Sequence, residues 1–317
     1  MPVVELVLTV SSPQELSGTD LRPYDAVCLG NPYCRRVAAN YAEDFAALAA
    51  AVSALHGAGK KAYVTSPAAP RGRDLSRVAL LIDAAAAAGA DALEVHNMGV
   101  LRILRDKGNP LPAHMGAFAN VYTHLAALVM RDYGAVRVRP NAEVSLEEMR
   151  TIAAEGGVEV EILVHGKIPL GVNEACFLLS APEGEDPNCP AACTTEHWLS
   201  ARQGAGGREG GWTLKTVGKG ILSGKDMCMI EHLPRLLAGG FRILRIEGLY
   251  ETAAYRSEIG AVYREAVEAA TSPEPYAILP GWAQTIRRHS GRGLCNGYYF
   301  GKTGRLYVGD VLQIENS

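Results

Sequence analysis

Eight short apolar runs, each followed by a longer amphipathic stretch, constrain this chain more than any other feature. The runs are Val3–Val10, Asp25–Gly30, Lys61–Ser66, Ala92–Asn97, Ala113–Phe118, Ala135–Arg139, Val158–Gly166 and Phe241–Gly248, all rich in Val, Ile or Leu. Runs of this length and character fit strands buried on both faces. Helical patterns lie between them, at Tyr41–His56, Asp74–Ala88, Val100–Arg105, Val121–Tyr133, Ser145–Ala154, Cys228–Ala238 and Glu251–Ala269. Glycine separates helix from strand in GAGK, AGAD and AGGF, the position of a helix C-terminal stop. Ser145 and Glu148 form a capping box. Regular βα alternation requires a parallel sheet, and eight units in succession predict a (β/α)8-type (TIM-like) barrel, irregular where the pattern breaks. No GxGxxG follows an early strand, which removes the main support for a dinucleotide-binding domain.

The pattern breaks twice. Residues 169–211 form an insertion in the barrel of residues 1–272, too long for a plain connection and therefore functional. A weaker ninth strand, Trp212–Thr216, follows it. Residues 273–317 read as a small C-terminal β appendage, with short strands in LYVGDVLQI.

The insertion holds DPNCPAAC, with Cys189 and Cys193 four positions apart and Cys176 thirteen residues before the first of them. A chain of 317 residues buries an ample core without disulfides, its seven cysteines are an odd number, and the N-terminus lacks a secretory pattern. These features place it in a reducing cytoplasm, where clustered thiols favour metal or redox chemistry. No apolar run is long enough to span a membrane. A net charge of −3, from 31 basic and 34 acidic residues, gives no overall basic footprint for nucleic acid.

In parallel α/β folds the ligand site lies beyond the carboxyl ends of the strands. Asn31 and Cys34, His96 and Asn97, His165, and Glu247 all fall there. His96, His165 and Glu247 are the acid–base candidates. Glu247 ends an apolar strand, where a carboxylate is costly unless paired, and Arg242 and Arg245 are its nearest cations in sequence. Cys34 can meet Cys176, Cys189 and Cys193 on the same rim. Such thiols suit an iron–sulfur cluster, a four-cysteine zinc site, or simple burial. Cys28 and Cys295 read as buried, inert thiols. Asp226 reads as the N-cap of a helix starting at MCMIEHL, and His197 and His232 as residues on exposed faces.

Several longer segments, in order, resemble the landmarks of peptidase family U32. They are YDAVCLGNPYCRR, GKKAYVTSP, AGADALEVHNMGVLRIL, EILVHGKIPLGVNEACFLLS, DPNCPAAC, LSGKDMCMIEHLPRLLAGGFRILRIEG and GYYFGK. The resemblance implies a 4Fe-4S protein acting in oxygen-independent hydroxylation, as in the UbiU and UbiV branch of ubiquinone synthesis or in hydroxylation of RNA bases. Cys34, Cys176, Cys189 and Cys193 match the UbiV-like ligand set. Cys228, in KDMC, matches one UbiU-like ligand, while Pro169 stands where the UbiU-like HG motif carries a cysteine. The fourth ligand is therefore Cys34 or Cys228. The usual IEGR is here IEGL.

By that resemblance the expected activity is hydroxylation of an aromatic, quinone-precursor small molecule. Prephenate would be the oxygen donor and a second U32 protein the partner. The alternatives are RNA-base hydroxylation, which the charge balance disfavours, a non-enzymatic cluster carrier, and peptidase activity, for which neither HExxH nor GxSxG is present.

Overall fold

The structure is a computed structural model and describes residues 3–34, 40–173, 175–176, 197–200 and 213–312. Eight parallel strands close a barrel: β1 (Glu5–Val10), β2 (Ala26–Leu29), β3 (Lys61–Thr65), β4 (Ala92–Val95), β5 (Ala113–Met115), β6 (Ala135–Val138), β7 (Glu159–Val172) and β11 (Ile243–Ile246). β11 pairs in parallel with both β1 and β7, which shuts the ring. Helices α1 (Pro13–Ser17), α2 (Phe45–Gly57), α3 (Leu75–Ala87), α4 (Met98–Asp106), α5 (His124–Asp132), α6 (Leu146–Glu155) and α8 (Ala253–Thr271) follow strands in βα order. Of these only α1, a short helix after β1, falls outside the helical patterns that the sequence predicts. The Ser145–Glu148 capping box is present at α6. The main apolar core lies between the strands and the helices.

Inside the barrel the packing is different. A small apolar layer of Val7, Ala26, Cys28, Tyr63, Ala92 and Ile243 fills one level. The rest is charged. Arg245 donates from Nε to Glu161 Oε1 at 2.8 Å, from Nη2 to Glu94 Oε1 at 2.9 Å and from Nη1 to Thr9 Oγ1 at 3.0 Å. Towards the amino ends of the strands, Arg137 donates to Glu5 at 2.8 Å and Glu159 at 3.1 Å. Buried ions persist only when paired and hydrogen-bonded, and these partners come both from adjacent strands and from across the ring, as Glu94 on β4 does for Arg245 on β11.

Three departures from the sequence reading follow from one element. β7 does not end near residue 166 but continues to Val172 and pairs antiparallel with β10 (Gly220–Cys228). β10 pairs with β9 (Thr213–Val217), which pairs with β8 (His197–Ser200), giving an antiparallel flap at the mouth. Asp226 is therefore a strand residue, held by Lys167 Nζ at 2.9 Å, and not a helix cap. The helix expected at Cys228–Ala238 is reduced to a 3-10 turn (Ile230–His232) and α7 (Leu233–Ala238). His232 is only half-exposed and binds the Val308 carbonyl. The tail also differs: it contains α9 (Pro280–His289) and a two-residue β12 (Leu294–Cys295), and its described residues after Gly304 are not strand. Glu231 anchors it, accepting the N–H groups of Asp310, Val311 and Leu312. No helix among the described residues is long and apolar enough to cross a membrane.

The interior charges set an acid response. Arginines hold Glu94 and Glu161 below the usual carboxylate range against the opposing effect of burial, and Glu5 falls to about 2. Burial pushes His114 and His165 down to about 3. All five groups have depressed folded-state pKa values, so the unfolded chain binds their protons first and stability falls with pH. Buried Asp226 and Glu247 are shifted upward and oppose this, but they are two against five. The urea midpoint should decline from about pH 6.5, where unfolded histidine titrates, and fall more steeply below about 4.5. A midpoint unchanged between pH 7 and 4 contradicts this.

Candidate functional site

The carboxyl ends of the barrel strands carry His96, Glu247 and the Asn31–Cys34 loop, as the sequence placed them, and the flap leans over them. Val217 and Leu222 of the flap form an apolar cluster with Tyr33 and Leu249, with Phe118, Val172 and Tyr250 packed against it. Tyr33 meets Phe118 edge to face at 5.5 Å. A Cβ on Gly220 would lie 2.3 Å from Tyr33 Cδ1, so glycine lets the flap backbone touch the ring. Tyr250 adopts φ 62°, a left-handed conformation rare and costly for an aromatic residue, two positions after Gly248.

Beneath this roof His96 is fully enclosed. Its Nε2 lies 3.0 Å from Thr65 Oγ1 and 3.2 Å from Glu94 Oε2, and the Phe118 N–H donates to Nδ1 at 3.5 Å. This pattern corresponds to the Nε2–H tautomer. Arg245 holds Glu94, and Glu94 in turn orients His96. Both imidazole nitrogens are thus directed at protein groups.

Glu247 sits on the same level. Its Oε1 accepts the Leu249 N–H at 3.3 Å, and its Oε2 lies 3.9 Å from Arg139 Nη1. Burial pushes its carboxyl upward, and Arg139 and Arg245 only partly offset this. The cation beside Glu247 is therefore Arg139. Neither sequence neighbour serves: Arg242 binds the Leu237 and Phe241 carbonyls, and Arg245 is committed to Glu94 and Glu161.

His165 is not at the mouth. The β7–β11 register slips between Arg245↔Leu163 and Ile246↔His165, a bulge that adds one β7 residue. Because side chains alternate along a strand, one extra residue sends the next side chain to the other face. Glu161 points into the barrel, whereas His165 points at α8, with Nδ1 3.2 Å from Tyr263 Oη and its ring 5.8 Å from that of Tyr255. The expectation that His96, His165 and Glu247 share one cavity is corrected for His165, which faces α8 and not the barrel mouth.

The cysteines divide in the same way. Cys34 is half-buried at the end of β2, in a loop pinned by two asparagines. Asn31 Oδ1 accepts the Tyr33 and Cys34 N–H groups, and Asn40 Nδ2 donates to the Cys34 carbonyl. Cys34 lines a cleft with Tyr33, Pro67, Arg77 and Lys219. The Asn173 N–H donates to the Lys219 carbonyl at 2.7 Å. Half-buried Cys176 lies three residues further on, so the chain can extend at most about 10 Å from that anchor. Cys189 and Cys193 lie outside the described residues, as does the His197 side chain. Cys228 is fully buried beside α8, receives a hydrogen bond from Tyr263 Oη at 3.8 Å, and burial pushes its thiol up to about 12. Cys28 and Cys295 are buried, as expected. Among the described residues no group of three or more His, Cys, Asp or Glu side chains is arranged to hold a metal ion.

The sequence reading missed Glu94, Arg139 and Glu161, and it assigned Arg245 to Glu247 when its partners are Glu94 and Glu161. Their signal was present as charges two apart, or single charges, inside otherwise apolar strands: ALEV, VRVR, EVEIL and ILRIE. In strands buried on both faces such charges must face one another.

The fold and site define a (β/α)8 barrel protein with a flap-covered, charged mouth flanked by cysteines. The chain belongs to peptidase family U32, whose family model matches residues 22–308. It is 28% identical over 252 residues to an uncharacterized protease of Methanocaldococcus jannaschii, covering 77% of this chain and 60% of that protein. It is 28% identical over 250 residues to the 23S rRNA 5-hydroxycytidine C2501 synthase of Escherichia coli, covering 77% of this chain and 36% of the enzyme. It is 26% identical over 319 residues to tRNA hydroxylation protein P of Escherichia coli, covering 86% of this chain and 69% of that protein. The matched region thus spans little more than a third to just over two thirds of these relatives.

Gly116 is the tightest constraint on this site. A Cβ there would stand 2.1 Å from His96 Cε1 and 2.3 Å from Nδ1. Gly116→Ala should therefore cost about 1–3 kcal/mol in urea unfolding and shift the His96 imidazole 15N resonances. Unchanged resonances would show that the ring is not held against this backbone.

Proposed function

We propose that this chain is the barrel unit of an RNA-base hydroxylation protein. The observation that carries this is the similarity, over 77% and 86% of the chain, to two relatives named for rRNA and tRNA hydroxylation. On this reading the RNA alternative overtakes the quinone-precursor substrate, and the whole-chain charge was a poor guide. A charge of −3 averages over local features: exposed Arg292 of the tail lies 3.7 Å from the Trp198 ring centre on the flap, with Lys167 and Lys215, each paired with a carboxylate (Asp226 and Glu251), within 6 Å. Lys215 Nζ also donates to the Tyr250 carbonyl, which sets this side of the flap next to the mouth. The half-exposed rings of Phe118 and Tyr250 offer faces on which an unstacked base can lie.

Cys34, Cys176, Cys189 and Cys193 are the proposed cluster ligands. The donor chemistry fits, since soft thiolates are the ligands of iron–sulfur clusters, and the Asn173–Lys219 contact supports a path from Cys176 towards the Cys34 cleft. A bound cluster would supply one-electron chemistry. Cys228 is the weaker fourth ligand because its thiol is enclosed on the helix side. Cys34→Ser should lose iron in anaerobically purified protein while Cys228→Ser keeps it; the reverse pattern overturns the assignment.

Glu247 is the proposed proton donor or acceptor, because burial favours its neutral form at the mouth. His96 is a positioning group in this scheme. Peptidase chemistry has less support: burial pushes the Cys228 and Cys295 thiols up to about 12 and about 11, away from the thiolate a nucleophile requires.

Anaerobic incubation with unmodified RNA, followed by mass spectrometry of the nucleosides, should reveal oxygen gained on a base. Glu247→Gln should lower that rate by about 10²–10⁴ with the visible spectrum unchanged. Loss of thermal stability with an intact rate per folded molecule would make Glu247 structural only.

A further inference from the structure

We propose that the segment of residues 292–305 is a docking track that leads single-stranded RNA to the barrel mouth, with Arg292, Lys302 and Arg305 on phosphates and Tyr298 under a base. The inference rests on the RNA reading above and adds where the strand beside the modified base lies. Its first support is a charge asymmetry that the whole-chain balance hides. Residues 275–309 carry five Lys and Arg and no Asp or Glu, leaving 26 basic against 34 acidic residues elsewhere. Two of the five are engaged: Arg287 donates to the Val311 carbonyl at 2.7 Å, and Arg288 pairs with Glu258. Arg292, Lys302 and Arg305 are exposed, and none has an ion pair among the described residues. Clustered cations without carboxylates attract an anionic partner.

The fold sets these groups along the edge of the flap and the mouth. β12 pairs with β10 at Asp226 and Met227, so the segment follows the flap. At its start Arg292 stacks on Trp198 of β8, and the stem of Lys225 lies beside Gly293. An arginine stacked on a ring keeps its N–H edge free for a phosphate. Further along, Gly297 is pressed against the barrel rim, where a Cβ would lie 2.8 Å from Met227 Cε and 3.3 Å from Ile168 Cδ1. Tyr299 stands with Arg139 at the edge of the mouth. Between these two anchors Tyr298 turns outward and is 39% exposed. Gly304 brings the loop of Lys302 and Arg305 against one side of its ring, because a Cβ there would stand 2.7 Å from Tyr298 Cε2.

The ring decides the occupant. Cations alone suit any polyanion, including an anionic lipid surface. A ring with an open side among the cations suits nucleic acid, since every base has a face to stack while its phosphates meet the charges. The track also ends at the mouth, where an unstacked base of a single strand has to enter.

The test is fluorescence anisotropy of a labelled, mixed-sequence single-stranded RNA of about twelve nucleotides, titrated with the full chain at about 50 to 200 mM salt. Lys302→Gln with Arg305→Gln should make the slope of log affinity against log salt shallower by about 1.4, at about 0.7 for each lost phosphate contact. Tyr298→Ala should weaken binding about fivefold or more and leave the slope unchanged. Arg22→Gln with Lys60→Gln makes the same charge change ahead of β2 and β3, at the opposite end of the barrel, and should leave slope and affinity as in the native protein. If the Lys302 and Arg305 pair keeps the native slope, if the control pair lowers it equally, or if Tyr298→Ala binds as the native chain does, the track is wrong while the RNA reading stands. Native protein that ignores the RNA, or that binds phosphatidylserine vesicles in its place, overturns the track and counts against the RNA reading as well.

Discussion

The guanidinium of Arg245 is the constraint around which the barrel is organised. It belongs to the largest fully buried side chain among the described residues, and removing its charge from water without partners would cost several kcal/mol. Its three partners come from three other strands: Thr9 on β1, Glu94 on β4 and Glu161 on β7. They converge only if the sheet closes in one register, because a slip of one residue turns every inward side chain outward. An all-apolar interior of the same volume would tolerate more registers. The network therefore adds more to the uniqueness of closure than to net stability.

The same interaction reaches the mouth. Glu94, fixed by Arg245, accepts from His96, and His96 lies against Gly116 with no room for a side chain between them. Arg139 stands one level above and shares Glu94 and Glu161 at longer range. Glu247, two residues after Arg245, is carried to the rim by the same strand. The flap then closes over these groups through Tyr33, Leu222 and Val217. Electrostatic groups in such an enclosed site interact more strongly than in water.

The barrel was legible because each of its strands is a compact apolar run, and all eight runs coincide with observed strands. The flap was less legible. β10 carries Asp226, which read as a helix N-cap, and only its pairing with the overrun of β7 makes it a strand. His165 was misplaced because strand position alone assigned it to the mouth, while a bulge decides its direction. The apposition of Arg139 and Glu247 could not be read locally, since about a hundred residues separate them in the chain and only barrel closure joins them. The chemical meaning of Cys34 came from its residue type. Its fixed geometry comes from Asn31 and Asn40, whose roles are visible only as hydrogen bonds.

A double-mutant cycle between Arg245→Met and Glu94→Gln tests most directly whether the interior charges determine barrel closure and, through it, the mouth. Urea unfolding of the four proteins gives the coupling energy. Each single change should cost about 3–5 kcal/mol, because it strands a buried partner, and the double change should cost less than the sum by about 1–3 kcal/mol. Additivity to within about 0.5 kcal/mol would mean that the two side chains do not depend on each other, and would contradict a barrel closed by its interior charges.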